Sequence, residues 1–99
     1  MTKKIHISDK AKLDLKEIYN YTLQEWGKIQ ANKYLSNLQK RFKWLLENPN
    51  LGKHRPEIKH NYYSFNESRH IIFYKIDKNN INILNILHKK MDINNFFDN

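Results

Sequence analysis

The sequence has no cysteine, only two glycines and two prolines, and no long apolar run. Without cysteine the chain can form neither a disulfide nor a thiolate metal site, which is compatible with a reducing compartment. No segment approaches the roughly 20 apolar residues that cross a bilayer. The opening MTKKIHISDK has no apolar run after its lysines, so we expect no signal peptide. The sequence therefore predicts a cytoplasmic protein with no membrane partner.

Acidic residues are also scarce, with 10 Asp and Glu against 18 Lys and Arg, for a formal charge of +8. Such a balance favours an acidic partner: a nucleic acid, an anionic membrane or an acidic protein. A second interpretation is compositional: lysine, asparagine and isoleucine are abundant together, as expected from AT-rich codons. The charge alone does not choose between these interpretations.

The 99 residues are enough for one small domain, and neither repeats nor linkers divide the range 1–99. Pro49, Gly52 and Pro56 lie close together and predict one main loop. The five histidines do not have zinc-site spacing, and no glycine-rich phosphate loop is present. We therefore expect neither a metal nor a cofactor.

The first half of the chain has the periodicity of two helices. Ser8 is predicted to cap the first helix and Gly27 to end it, since glycine tolerates the left-handed cap conformation. The second helix is predicted to run to about Glu47, where Asn48-Pro49 ends it. The two apolar stripes consist of Ala11, Leu15, Ile18, Tyr19, Thr22 and Trp26, and of Ala31, Tyr34, Leu35, Leu38, Phe42 and Leu45. So short a join predicts an antiparallel helical hairpin.

Strand patterns lie on either side of the two helices. KIHIS, near the start, alternates apolar and polar residues, and NYYSF, RHIIFYKI and INILNIL follow the main loop. INILNIL places Ile81, Ile83 and Leu87 on one face and Leu84 and Ile86 on the other, which predicts an interior strand. Short connections between the last three strands predict an antiparallel meander.

The predicted fold is therefore α+β: an N-terminal strand, a two-helix hairpin, and a three-stranded antiparallel meander forming one sheet. The tail DINNFFDN predicts a short C-terminal helix.

Three segments of this sequence together resemble the ParE branch of the RelE/ParE toxin superfamily. They are DLKEIYNYTLQEWGKIQANKYLSNLQKRFKWLLENPNLGKHRPEI, SFNESRHIIFYKI and ILHKKMD. The resemblance covers nearly the whole chain and implies the fold predicted above. It also implies the toxin of a type II toxin–antitoxin pair, which binds DNA gyrase on cleaved DNA and is silenced by a ParD-like antitoxin. Relatives on the RelE side cut mRNA in the ribosome, and this is the alternative function.

Eight residues are candidates for contact with the target or the antitoxin. They are Trp44, Arg55, Arg69, His70, His88, Met91, Phe96 and Phe97. Trp44 lies off its helix stripe, so it either anchors a partner or belongs to a larger core. Arg69 and His70 open a predicted strand. They are either the solvated end of that strand or part of a surface that contacts the target or the antitoxin.

The RelE alternative would use Arg55, Arg69 and His88. If the last two strands pair as a hairpin, Arg69 and His88 fall at the same end of the sheet, and Arg55 in the main loop could join them. Arginine would stabilise the phosphate charge, and His88 would move protons, with Glu57 as a possible base. The chain nevertheless has Lys89-Lys90-Met91 after its final strand, which resembles the ParE ending and favours a binding inhibitor without catalytic residues. A third possibility is a module that retains only antitoxin binding.

Overall fold

The computed structural model describes residues 3–90. The predicted C-terminal helix, and with it Met91, Phe96 and Phe97, lies outside the described residues. The elements are β1 (Ile5–Ile7), α1 (Asp9–Trp26), α2 (Lys28–Glu47), a 3-10 turn (Pro49–Leu51), β2 (Lys53–His54), β3 (Tyr62–Glu67), β4 (His70–Asp77) and β5 (Asn80–His88). No helix in this part of the chain is both long and apolar enough to span a membrane.

The helical hairpin forms as its capping residues predict. The Ser8 hydroxyl accepts a hydrogen bond from the Ala11 amide at 3.0 Å, which satisfies one of the free donors at the start of α1. A single residue, Gly27, separates the two helices, and its amide donates to the Leu23 carbonyl. Its φ of 90° is positive, as expected, but its ψ of 172° is extended rather than left-handed helical. Gly27 alone therefore forms the turn between the two helices.

The sheet has five strands within residues 3–90, in the order β1-β5-β4-β3-β2. The meander of β3, β4 and β5 is antiparallel as predicted, but β1 runs parallel to β5, so the sheet is mixed. The prediction of four strands was wrong because β2 is only two residues long, inside the main loop, too short for periodicity to detect.

The β3–β4 hairpin turns over Ser68 and Arg69, and Ser68 has a φ of 53°. The prediction that Arg69 opens a strand was therefore wrong. Arg69 is a turn residue, and β4 begins at His70.

Two apolar clusters lie on opposite faces of the sheet. The larger cluster packs the sheet against both helices, with Leu38 and Phe42 of α2 against Ile72 and Tyr74 of β4. The smaller one, on the far face, contains Ile71, Phe73 and Leu87. Alternate residues of β4 therefore serve the two clusters, as expected for a strand buried on both faces.

A β-bulge in β5 changes which residues share a face. Phe73 pairs with Asn85, but the next residue of β4, Tyr74, pairs with Ile83, so β5 has one extra residue. The prediction that Leu87 shares a face with Ile81 and Ile83 was therefore wrong, since simple alternation fails across a bulge. Leu87 joins the far-face cluster, while Ile81, Ile83 and Ile86 all belong to the helix-side cluster.

The start of α1 supplies the hydrogen bonds that this bulge needs. The Asp14 carboxylate accepts a bond from the Ile86 amide at 2.9 Å, and the Ser8 hydroxyl donates to the Leu84 carbonyl at 2.7 Å. Asp14 is 5% exposed and also forms an ion pair with Lys10. Helix α1 thus holds the end of β5 through polar side chains as well as through apolar packing.

Candidate functional site

A cleft of about 400 Å³ opens where the tip of the helical hairpin meets the β3–β4 turn. We call it the hairpin-tip cleft. Its walls include Trp26 of α1, Tyr34 of α2, Arg69 of the turn, His70 of β4 and His88 of β5. None of the described residues that line it is Asp or Glu. The cleft therefore combines aromatic and cationic groups, a lining suited to an anionic or aromatic ligand.

Strand pairing places the two histidines together. His70 and His88 are direct partners in the β4–β5 ladder, and their ring centroids are 5.3 Å apart. The Lys89 amide donates to the Arg69 carbonyl at 3.0 Å, so the turn lies beside the end of β5. The expectation that Arg69 and His88 lie at the same end of the sheet is confirmed.

A short hydrogen bond joins the helices to the histidine pair. The Tyr34 oxygen lies 2.6 Å from Nδ1 of His70, and the Arg69 amide donates to the same oxygen at 3.3 Å. The Tyr34 hydroxyl is thus directed at Nδ1, with the Glu67 carbonyl as a longer contact at 3.5 Å.

The surroundings of His70 oppose its protonation. Burial, followed by the proximity of His88 and Arg69, lowers the pKa of His70 to about 4, while the Asp14 carboxylate acts weakly in the opposite direction. Burial also raises the pKa of Tyr34. At neutral pH His70 is consequently uncharged, and Arg69 supplies the fixed positive charge of the cleft.

This arrangement predicts a loss of stability at mildly acidic pH. Between pH 6.5, the ordinary pKa of histidine, and about 4, the unfolded chain binds a proton at His70 that the folded chain excludes. The contribution of His70 to the free energy of unfolding is therefore fully present above pH 6.5 and is lost as the pH falls to about 4. After a discount for partial solvent screening, we expect His70 to contribute about 1–2 kcal/mol of this fall.

Urea unfolding at pH 7 and pH 4.5 measures the effect. His70→Asn keeps an acceptor near the Nδ1 position but does not titrate, so it is expected to reduce the difference between the two pH values. His6→Asn, the same change at an exposed position, is the control and should leave the difference unaltered. An unchanged difference in His70→Asn would contradict the prediction.

Trp26 and Arg69 form the outer wall of the cleft. The Arg69 guanidinium carbon lies 5.3 Å from the centroid of the Trp26 ring, within cation–π distance. Trp26 is 57% exposed, although the helix stripe predicts that it is a core residue. That prediction was wrong because Trp26 is the last residue of α1 and lies in the wall of the cleft, with the Arg69 guanidinium beside its ring. Among these residues, Arg69 forms no ion pair.

Arg55 does not join the hairpin-tip cleft. Its Nε donates to the Ser64 hydroxyl at 2.8 Å, and its guanidinium carbon lies 5.9 Å from the Phe73 ring centroid, on the far face of the sheet. It also contacts the Glu57 carboxylate at 3.4 Å. The expectation that Arg55 could meet Arg69 and His88 on one edge was wrong, because Arg55 packs over Phe73 on the far face and does not line the cleft.

Trp44 packs against the edge of the helix-side cluster. Its ring lies 5.2 Å from that of Phe65, and the Arg41 guanidinium carbon lies 4.8 Å from both ring centroids. Arg41 in turn binds the Glu67 carboxylate at 2.7 Å. Of the two interpretations open for Trp44, this packing favours the larger core.

Sequence reasoning missed Trp26 and Tyr34 as site residues because both fit an apolar stripe. A signal exists for Tyr34, since a tyrosine within a stripe requires a partner for its hydroxyl. Among the described residues, no group of three or more His, Asp or Glu side chains is placed to hold a metal ion.

Comparison with known sequences gives a match over nearly the full length. A sequence model of the ParE toxin family, from the type II toxin–antitoxin system parDE, matches residues 5–93. Toxin ParE1 of Mycobacterium tuberculosis is 31% identical over 94 residues, which cover 94% of this chain and 96% of the relative. Toxin ParE1 of Caulobacter vibrioides is 30% identical over 90 residues, with coverage of 91% and 93%.

Comparison with solved structures gives the same fold. The chromosomal ParDE system from P. aeruginosa superposes with a TM-score of 0.72 at 23% identity, over 89% of this chain and 95% of the relative. The YoeB-YefM toxin–antitoxin complex from Staphylococcus aureus gives a TM-score of 0.61 at 21% identity, with coverage of 89% and 98%. At these identities the structural matches show the shared fold alone.

Proposed function

The chain belongs to the ParE family of type II toxin–antitoxin toxins, and we propose that it poisons DNA gyrase by binding in the cytoplasm, without catalysis of its own. The match to that family over residues 5–93 carries this proposal. We also propose a ParD-like antitoxin as its partner, since the similar solved structures include a ParDE system and a toxin–antitoxin complex.

The geometry of the cleft supports binding over catalysis. The nuclease alternative requires Arg55, Arg69 and His88 to act on one phosphate, but Arg55 lies on the far face of the sheet, over Phe73. Within the cleft, His70 is held uncharged, with Nδ1 occupied by the Tyr34 hydroxyl. The three residues that the nuclease alternative requires therefore do not meet at one phosphate.

We assign target contact to the cleft residues Arg69, His70 and His88. Arg69 is the principal group because it is exposed, is permanently charged and forms no ion pair among residues 3–90. Met91, Phe96 and Phe97 remain predicted contacts for the target or the antitoxin.

A supercoiling assay with purified gyrase, relaxed plasmid and the purified chain tests the proposal. We expect inhibition of supercoiling together with accumulation of linear plasmid. Arg69→Ala is expected to weaken inhibition at least tenfold, because it removes a permanent positive charge from the cleft, whereas His88→Ala should change it less than threefold. Inhibition of supercoiling without linear plasmid would contradict poisoning.

The same preparation separates the alternative function. Folded protein that leaves gyrase unaffected but cleaves mRNA on ribosomes, with loss of cleavage in His88→Ala, would replace the proposal with the RelE activity. Circular dichroism of each variant establishes that it is folded.

A further inference from the structure

We infer that the hairpin-tip cleft binds an unpaired nucleotide of a single nucleic-acid strand, with the base on Trp26 and the phosphate on Arg69. This inference does not depend on gyrase as the target, because it concerns the affinity of the chain itself for a strand.

The electrostatics of the cleft favour an anion. None of its described lining residues is acidic, and Arg69 adds a fixed positive charge. Two carboxylates that act electrostatically on the cleft residues Tyr34 and His70 are already paired: Glu67 with Arg41 at 2.7 Å, and Asp14 with Lys10 and the Ile86 amide. An incoming phosphate therefore meets a cation in a wall whose described lining residues include no carboxylate.

The shape of the outer wall favours a planar group beside that anion. The Trp26 indole is 57% exposed, and the flat guanidinium of Arg69 lies 5.3 Å from its centroid. Exposed aromatic rings beside arginine are the combination on which single-stranded nucleic acids stack, because every base has a π-face. At about 400 Å³ the cleft lies within the range of roughly 300–1,000 Å³ of small-ligand sites. A Gln30 amide in the same wall offers a donor and an acceptor to a base edge.

A nucleotide fits these observations better than an acidic peptide does. A carboxylate side chain would use the charge of Arg69 but would leave the indole face without a partner. A base and its phosphate use both groups, with stacking and ion pairing side by side. A base-paired duplex keeps its bases stacked, so the cleft should distinguish an unpaired strand from a duplex.

Fluorescence anisotropy with a labelled 12-nucleotide oligothymidine, and with a labelled duplex of the same length, tests the inference at low salt. We expect Trp26→Ala to weaken binding of the single strand about tenfold, by loss of one stacked base, and to leave duplex binding unchanged. Arg69→Ala should weaken single-strand binding at least fivefold.

Two matched variants separate the cleft from general charge and apolarity. Lys16→Ala removes one exposed cation of α1, and Leu13→Ala removes an apolar side chain that is 58% exposed. Each should change single-strand binding less than twofold. Equal losses in Lys16→Ala and Arg69→Ala, or in Leu13→Ala and Trp26→Ala, would overturn the inference, as would equal effects of Trp26→Ala on single strand and duplex.

A labelled octaglutamate peptide tests the competing anion. The inference would be overturned if Trp26→Ala lost binding to this peptide but kept its binding to oligothymidine. That result would assign the cleft to an acidic peptide. If the protein failed to inhibit gyrase but still preferred the single strand to the duplex, the proposed function would be overturned and this inference would stand.

Discussion

Gly52→Ala is expected to destabilise the protein by about 2–4 kcal/mol, through overpacking at a site that has no room for a methyl group. A Cβ at residue 52 would overlap the Tyr74 hydroxyl and lie 2.9 Å from the Ser64 carbonyl oxygen. Tyr74 is fully buried, and its hydroxyl donates to the Pro49 carbonyl at 2.7 Å. Relief therefore requires either loss of that hydrogen bond or separation of β2 from β3.

Urea unfolding followed by circular dichroism measures this change, and a double-mutant cycle identifies its cause. Tyr74→Phe removes the oxygen that the new methyl group would meet, so Gly52→Ala should cost at least 1 kcal/mol less in that background than in the wild type. Gly27→Ala is the control: apart from its chain neighbours, none of residues 3–90 has an atom within 4 Å of its Cβ position, and its φ of 90° should cost about 1 kcal/mol whether residue 74 is Tyr or Phe. A cost below 1 kcal/mol for Gly52→Ala would contradict the prediction.

Asp14→Ala is expected to destabilise the protein by about 3 kcal/mol. The substitution leaves the buried Ile86 amide without its acceptor and Lys10 without its ion-pair partner. Hydrogen bonds to charged groups contribute about 1.5–3 kcal/mol, and a buried donor left unpaired adds a desolvation cost. Asp14→Asn keeps an acceptor oxygen and should lie between wild type and alanine.

Chemical denaturation gives the magnitude, and amide hydrogen exchange gives the location. Relative to wild type, Asp14→Ala should increase the exchange rate of the Ile86 amide more than it increases the exchange rates of amides in the β3–β4 hairpin. Glu17→Ala, which removes an exposed carboxylate from the same helix, should change stability by less than 0.5 kcal/mol or so. Equal effects of the two alanine substitutions would refute a specific role for Asp14.

The residues that set the helical hairpin are local signals, and the sequence predicts this part of the fold well. Ser8 caps α1, Gly27 separates the helices, and Asn48 follows the last residue of α2, all as expected from neighbouring residues alone. The antiparallel meander is equally predictable, because its turns are short and its strands are rich in isoleucine and aromatics.

The candidate site is only partly predictable, because it depends on contacts distant in sequence. The hairpin geometry places Arg69 beside His88, and the sequence shows this. The position of Arg55 depends on the two-residue strand β2, which has no periodicity to detect. Trp26 fits a helix stripe, and only the folded structure shows that it is 57% exposed in the wall of the cleft.

Asp14, the first residue of the segment DLKEIYNYTLQEW, has a structural role that the sequence does not reveal. A carboxylate in the first turns of a helix is unremarkable in a sequence, since most are solvated. Here it is buried against the β5 bulge, 72 residues further along the chain. A single sequence without this contact gives no reason to expect a buried charge at residue 14.

The extra residue in β5 has a consequence for anyone who grafts or aligns this strand. Ile83 before the bulge and Ile86 after it share a face, so the inward positions change from odd to even numbers within one strand. An alignment that assumes strict alternation across residues 84–85 would place Leu87 at the cleft and His88 on the far face of the sheet. One inserted or deleted residue would thus exchange an imidazole for an isobutyl group at the cleft while leaving the composition of the strand almost the same.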